Sequence, residues 1–506
     1  MKVSHPLLPF KIKTTPKELN VTAHGGLPLV LEVLRTAVPR SNYKELAKAL
    51  GYKGWKVLSR HAESLILLIV AGGDCLDDLK ILRGDTALQR LLGFTISSAT
   101  QAKDFLYRFD QTADGKKLSK DESASLSVQG TANIRDEGPG LRILAKILRH
   151  IVRMVYRRMV HWKRAPTTAT LDLDATVVAG AKSTALYCYE GFRGYQPMMA
   201  MMAELGVWLV DQFRDGNVGS NTELEAVYLQ ALDAIPPGIK SIRFRADSAF
   251  YNEDLLTRMA DKDHVSFAVS VPSSQELVRQ MGIIPDSAWN AYLPRPKTKP
   301  DAPTAKRDMA PNDDPDLESS TEIREWAELP DFIPNWKRNN KDKTVPFRYI
   351  AIRVRNRQKD LMDESRNQWR HFAIVTNNHL DSGLDVLHWH RQKQGTVEHG
   401  HGDLKNELAA GNLPTSRFGA NAAWWRLNTI AHNLLVFLKL ATLPEEMHAM
   451  RPKRLRFCLF DLAGIVIHHA RRLVLHLSLS HPGAQILVDA RQSLLLFCQQ
   501  EYTCQT

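Results

Sequence analysis

The chain has little of what small secreted or membrane-embedded proteins are built from. Its 506 residues include five cysteines (Cys75, Cys188, Cys458, Cys498 and Cys504), an odd number with no C-x-x-C spacing. Such a pattern gives neither a disulfide framework nor a zinc knuckle, and a reducing compartment is expected. Long apolar runs are also missing. The most apolar, Leu65 to Val70 and Leu434 to Leu440, fall far short of the ~20 residues that span a bilayer. The first residues, MKVSHPLLPFKIKTTPKEL, lack the sustained apolar segment of a secretory signal. A soluble, cytoplasmic protein without membrane contact is expected. No internal repeat is evident, and no H-E-x-x-H motif occurs.

Acidic residues are the next shortage. Lys and Arg number 67 against 55 Asp and Glu, a formal net charge of +12. That balance suits a polyanionic partner such as nucleic acid, and ordinary solubility explains it equally well. No acidic residue lies between Glu137 and Asp172. Within that gap, LRILAKILRHIVRMVYRRMVHWKR (Leu141 to Arg164) has apolar residues at helical spacing and bases on the other faces. Either this is a solvated surface helix or it lies along phosphates. Its unopposed charge favours the second reading, with Arg157 and Arg158 as DNA-binding candidates.

From Leu27 to about Asp110 the apolar spacing predicts helices, as in LPLVLEVLRTAV and AESLILLIVAGG. After Arg164 the period changes. TATLDLDATVV, LYCYEG, MMAMMAELGV and WLVDQFRDGN read as strands. A helix follows (Asn221 to Ile235), then strand KSIRFRADSAF, helix NEDLLTRMADKD and strand HVSFAVSV. This order predicts an α/β core with mixed strand directions. Residues 294–315 have the Pro, Asp and Lys content of a linker, and FRYIAIRVR and HFAIVTN read as further strands. The expected organisation is a helical N-terminal region with possible DNA-end binding (1–135), a first core part (136–271), a β-rich insertion (272–381), a second core part (382–445) and a helical C-terminal region (446–506).

A strand turns alternate residues to one face, so Asp172 and Asp174 in LDLDAT point the same way. Asp247 ends the strand-like RFRAD of the same sheet, and open α/β sheets place their sites at such ends. In QGTVEHGHGDLKNEL, a helix over Gln394 to Ala410 gives Val397, Leu404 and Leu408 as its apolar stripe, with Glu398 and Lys405 together on its flank. Three converging carboxylates resist full ionisation, and a pair of Mg²⁺ ions relieves that strain through oxygen ligands. The plainer readings are a strand-edge charge for Asp172, a helix cap for Asp247 and a Glu398–Lys405 surface pair. Gly400 and Gly402 would each weaken such a helix by roughly 1 kcal/mol relative to Ala.

Four features in order, namely DATVV after a strand, RADSAF at a second strand end, a long insertion, and E-x6-K on a later segment, resemble the DDE transposases of prokaryotic insertion sequences. The likeness is to the insertion-sequence 1380 group. It extends through GGDCLDDLKILRGDTALQRLLG, WWRLNTIAHNLLVFLKL and RLRFCLFDLAGIVIHHARRLVLHL, about Gly26 to Leu477. The resemblance implies an RNase H-like core with a metal site of Asp174, Asp247 and Glu398, holding two Mg²⁺ ions that Mn²⁺ can replace. Asp174 is preferred to Asp172 because Thr follows closely. The family's glutamate helix commonly reads Tyr-x2-Arg-x3-Glu-x6-Lys. Here Lys405 matches, while the Tyr and Arg positions hold Arg391 and Gln394, leaving Arg391 and Lys393 to supply phosphate-binding charge. The implied partners are the element's terminal inverted repeats and target DNA, bound by a homodimer. The rivals are an RNase H-like nuclease without strand transfer and an inactive DNA-binding relative. His388, His390, His399 and His401 form two H-x-H pairs that offer zinc ligands or phosphate and cleft-edge contacts. Trp424 and Trp425 are placed either in the core or against an unpaired base.

Overall fold

The computed structural model describes residue 14 and residues 19–180, 184–292, 322–330, 332, 347–356 and 368–503. The expected linker at 294–315 lies outside them. The described strands are β1 (Val21–Thr22), β2 (Thr168–Ala175), β3 (Val178–Ala179), β4 (Leu186–Tyr187), β5 (Arg193–Tyr195), β6 (Met198–Met202), β7 (Val207–Gln212), β8 (Ser241–Ala246), β9 (Val265–Val271), β10 (Asn290–Ala291), β11 (Glu322–Glu328), β12 (Arg348–Asn356), β13 (Arg370–Thr376), β14 (Gly464–His469) and β15 (Arg472–Leu477).

Among the described residues a nine-stranded mixed sheet runs β10-β11-β12-β13-β9-β8-β2-β6-β7. β2, β6 and β7 form an antiparallel meander, and β8 and β9 run parallel to β2. Helices Leu224–Ala234 and Glu253–Ala260 make the two crossovers that parallel neighbours require. The insertion does not form a separate layer. Its antiparallel strands β10 to β13 extend the sheet outward from β9.

Helix Pro139–His161 opens with proline at its first turn, where a missing N–H costs nothing. It packs its apolar stripe on helix Phe418–Thr442, most of whose side chains are buried. Arg426 ties that second helix down, bonding Asp211 of β7 at 2.7 Å and Glu137 at 2.7 and 2.9 Å. The N-terminal helices from Leu27–Ala37 onward are present as expected. They share one hydrophobic core with the sheet and with the C-terminal helix Pro482–Thr503.

The C-terminal region corrects an expectation. It is not wholly helical, because β14 and β15 form a hairpin joined to β1. GIVIHHARRLVLHL carries the β-branched run Ile465 to Ile467 in one strand and Val474 in the other, and Ala470 and Arg471 take the two positive-φ positions of a tight hairpin turn (φ 47° and 65°). No helix among the described residues is long and apolar enough to cross a membrane.

Candidate active site

Strand register is the first determinant of the site. β2 and β8 are parallel neighbours with Asp172 opposite Arg245. The paired register ends there: Asp174 lies two residues further along β2 and Asp247 just past the end of β8, close enough for the Asp247 charge to act on Asp174. Alternation keeps Asp172 and Asp174 on one face of β2. Asp172 is fully buried and accepts two bonds from Arg245, at 2.7 and 2.8 Å, and one from the Thr396 hydroxyl. Arg245 also donates to the Trp389 carbonyl at 2.6 Å. Asp172 is thus saturated inside the protein, whereas Asp174 has no such clamp. Asp247 accepts from the Ala249 N–H at 3.0 Å, which sets its rotamer at the strand end.

These contacts also place Glu398. Trp389 ends helix Gly383–Arg391, a 3₁₀ turn covers Gln392–Gly395, and Thr396 leads into helix Val397–Gly402. The Asp172–Arg245 pair therefore grips the chain on both sides of the turn and docks the Glu398 helix over β2. Val397, Leu404 and Leu408 are buried beneath it, as the apolar stripe predicted. The segment is not one α-helix. Asp403–Glu407 forms a π-helical turn, whose extra residue shifts Lys405 away from its α-helical position relative to Glu398. Lys405 donates to the Thr176 hydroxyl at 2.9 Å, close to Asp174.

Gly400 explains itself here. A Cβ at this position would lie 2.4 Å from the Met201 methyl and 2.5 Å from the buried Trp208 ring, while one at Gly402 would meet nothing closer than 4.0 Å. Gly400→Ala is expected to cost about 1–3 kcal/mol by overpacking and to lift Glu398. Gly402→Ala should stabilise by up to ~1 kcal/mol. Urea unfolding of the two variants checks this, and equal effects would remove the close approach as the reason for Gly400.

The electrostatics are those of crowded acids. Burial, together with Asp247 and Glu398 nearby, pushes the Asp174 carboxyl up to about 6, against the opposing charge of Lys393. Lys393 Nζ is 3.5 Å from Asp174 Oδ1, and His401 Nε2 is 3.8 Å from Oδ2. Burial and the neighbouring Lys405 and Lys393 drive His401 down to about 3, so its ring is neutral. Asp247, Glu398, Lys393 and Arg391 line one cleft of ≈ 690 Å³. Asp174, Asp247 and Glu398 offer the oxygen donors that suit a hard divalent cation, but their ligand atoms do not all lie within 4.8 Å of one another; among the described residues Asp74, Cys75 and Asp78 gather that closely.

The remaining sequence candidates lie elsewhere. The basic helix finds its acids in other parts of the chain: Lys146 with Glu45 at 2.8 Å, Arg149 with Asp233, and, just past the helix, Arg164 with Glu445 at 3.0 Å. Arg158 donates to the Leu440 carbonyl at 3.1 Å and stacks on Trp162, which makes it a packing residue. Arg157 is exposed. Lys146, Arg149 and Arg164 thus find acids in three dimensions that the local sequence does not show. Trp424 and Trp425 are fully buried, their indole N–H groups on the Ala409 carbonyl and the Met199 sulfur. The four histidines sit apart: His388 against Tyr292, His390 on the Ala246 carbonyl, His399 on the Gly395 carbonyl and His401 against Trp208. Sequence reasoning missed Arg245 and Thr396. A signal for Arg245 exists, since it precedes Asp247 by two residues just as Asp172 precedes Asp174.

The family described as Transposase DDE domain group 1 matches residues 21–497, and the chain belongs to it. No curated protein matches the chain. Among solved structures it is similar to the piggyBac transposase of a synaptic complex with hairpin DNA, at 12% identity over 73% of each chain and a TM-score of 0.31.

Proposed function

We propose that the protein is the transposase of an insertion sequence of the 1380 group. In this reading it binds the element's terminal inverted repeats as a homodimer, cleaves the DNA at their ends and joins the freed 3′-hydroxyls to target DNA. Asp174, Asp247 and Glu398 hold the metal in an RNase H-like core. What supports this reading is the topology: Asp174 lies near the end of β2, Asp247 just past the end of its parallel neighbour β8, and the helix that carries Glu398 packs on β2. The strand order β7-β6-β2-β8-β9, an antiparallel meander followed by two parallel strands, is the one expected of that core.

A pair of Mg²⁺ ions, with Mn²⁺ as a substitute, supplies Lewis-acid assistance to the attacking and leaving oxygens of an in-line displacement at phosphorus. The protein's own part is positional. Asp174 and Asp247 are fixed by strand register, and Glu398 by the Thr396–Asp172–Arg245 clamp. Arg391 and Lys393 bring positive charge to the cleft wall that a DNA strand would follow. Lys405, held at Thr176, adds charge near the end of β2. Cleavage and joining are the same displacement with different attacking oxygens, so one site serves both.

Incubation of the full chain with Mg²⁺, DNA carrying the element's ends and a target plasmid tests this. Both nicked ends and joined products are expected, with the 5′ and 3′ termini of the released DNA mapped by sequencing. Cleavage without joining would identify a nuclease, and binding without cleavage an inactive relative.

A further inference from the structure

We propose that Lys393 is a built-in counter-cation: in the metal-free protein it neutralises the carboxylate site, and it competes with divalent metal for Asp174. The inference rests on the reading of Asp174, Asp247 and Glu398 as the metal site and adds a control on how that site is loaded.

Two aspartates of one strand carry contrasting partners. Asp172 is held by a guanidinium through two short bonds, at 2.7 and 2.8 Å, the planar fork that makes a permanent pair. Asp174 faces an ammonium at 3.5 Å, longer than the ~2.7–2.9 Å of a tight charge-assisted bond. Lysine's flexible four-carbon stem lets such a contact break without unfolding anything around it.

Lys393 is nevertheless almost wholly enclosed, its side chain 9% exposed. Enclosing an ammonium is costly unless an acid compensates it, and Asp174 stands against Lys393 at the cleft that Asp247 and Glu398 also line. On the other oxygen of Asp174 stands His401 at 3.8 Å, with neither ring nitrogen hydrogen-bonded within the protein. Lys405, the next lysine, is engaged at the Thr176 hydroxyl. Lys393 thus sits where a cation on Asp174 Oδ1 would have to go. Like charges at that distance repel strongly in a partly buried site, so metal entry requires the ammonium to swing out toward the open cleft.

The test is a Mn²⁺ titration of the full chain without DNA, following free Mn²⁺ by electron paramagnetic resonance. Wild type is compared with Lys393→Met, Lys393→Gln and Lys393→Arg, with Asp174→Asn and Asp247→Asn as site controls. Removing the charge should tighten Mn²⁺ binding about tenfold or more in both neutral variants, and Lys393→Arg should stay near wild type. A merely structural lysine would instead give equal or weaker binding in the neutral variants. That result, with binding still lost in Asp174→Asn and Asp247→Asn, overturns the inference and leaves the metal site standing. Mn²⁺ binding indifferent to Asp174→Asn and Asp247→Asn would overturn the site and the inference together.

Discussion

Asp247→Asn is expected to lower metal-dependent nicking of end-containing DNA by about 10³-fold or more, the scale on which losing one preorganised electrostatic group at a reacting centre is felt. DNA binding should change little. The amide keeps the volume of the carboxyl, and its oxygen can still accept from the Ala249 N–H that orients the side chain. The lost property is the negative charge at the C-terminal end of β8, beside Asp174. Removing it should also relax Asp174, which Asp247 and Glu398 help to hold partly protonated. Nicking assays and a gel-shift titration on the same preparation separate the two effects. Nicking retained at wild-type rate would remove Asp247 from the chemistry, and binding lost in parallel would show a folding defect.

Arg245→Ala is expected to destabilise the fold by about 3–5 kcal/mol, the cost of leaving a buried carboxylate without its partner. Asp172 is fully enclosed and would keep only the Thr396 hydroxyl. The Trp389 carbonyl would lose its guanidinium donor and keep the Gln392 N–H. Because this pair grips the chain on both sides of the turn before Glu398, the loss should reach activity by a second route. The double variant Asp172→Leu/Arg245→Met distinguishes the routes. An apolar pair of similar volume often restores stability, but it cannot bond Thr396 or Trp389. Recovered urea-unfolding stability with nicking still depressed is the expected result. Nicking that returned together with stability would show that the pair only holds the fold and does not position Glu398.

Much of this architecture was legible in the sequence, because local patterning reports local structure. The alternation in TATLDLDA, the apolar spacing of LRILAKILRHIV and the stripe Val397, Leu404, Leu408 all match the elements found. Strand β11 was not read. Its sequence, EIREWAE, carries four charges in seven residues. Those charges are satisfied across strands, Glu325 by Arg353 at 2.6 Å and Glu322 by Arg370, which no local pattern displays. The hairpin at Gly464–Leu477 was hidden by a mixture of basic and apolar residues that also suits a helix. Two acids that pair with the basic helix, Glu45 and Asp233, were out of sight of its local pattern for a related reason, lying far from it along the chain.

By itself the sequence determined most of the strands and helices of the core, that Asp174 follows Asp172 on one face, and that the chain's motifs fall in the order of a DDE transposase. Only the tertiary structure decided which of the two aspartates a guanidinium clamps. β2 pairs with β8 in a register that hands Asp172 to Arg245, while Asp174 feels the charge of Asp247 past the end of β8. Two acids two residues apart are equivalent in a strand pattern. They become different when the neighbouring strand supplies a buried guanidinium to one and another carboxylate to the other.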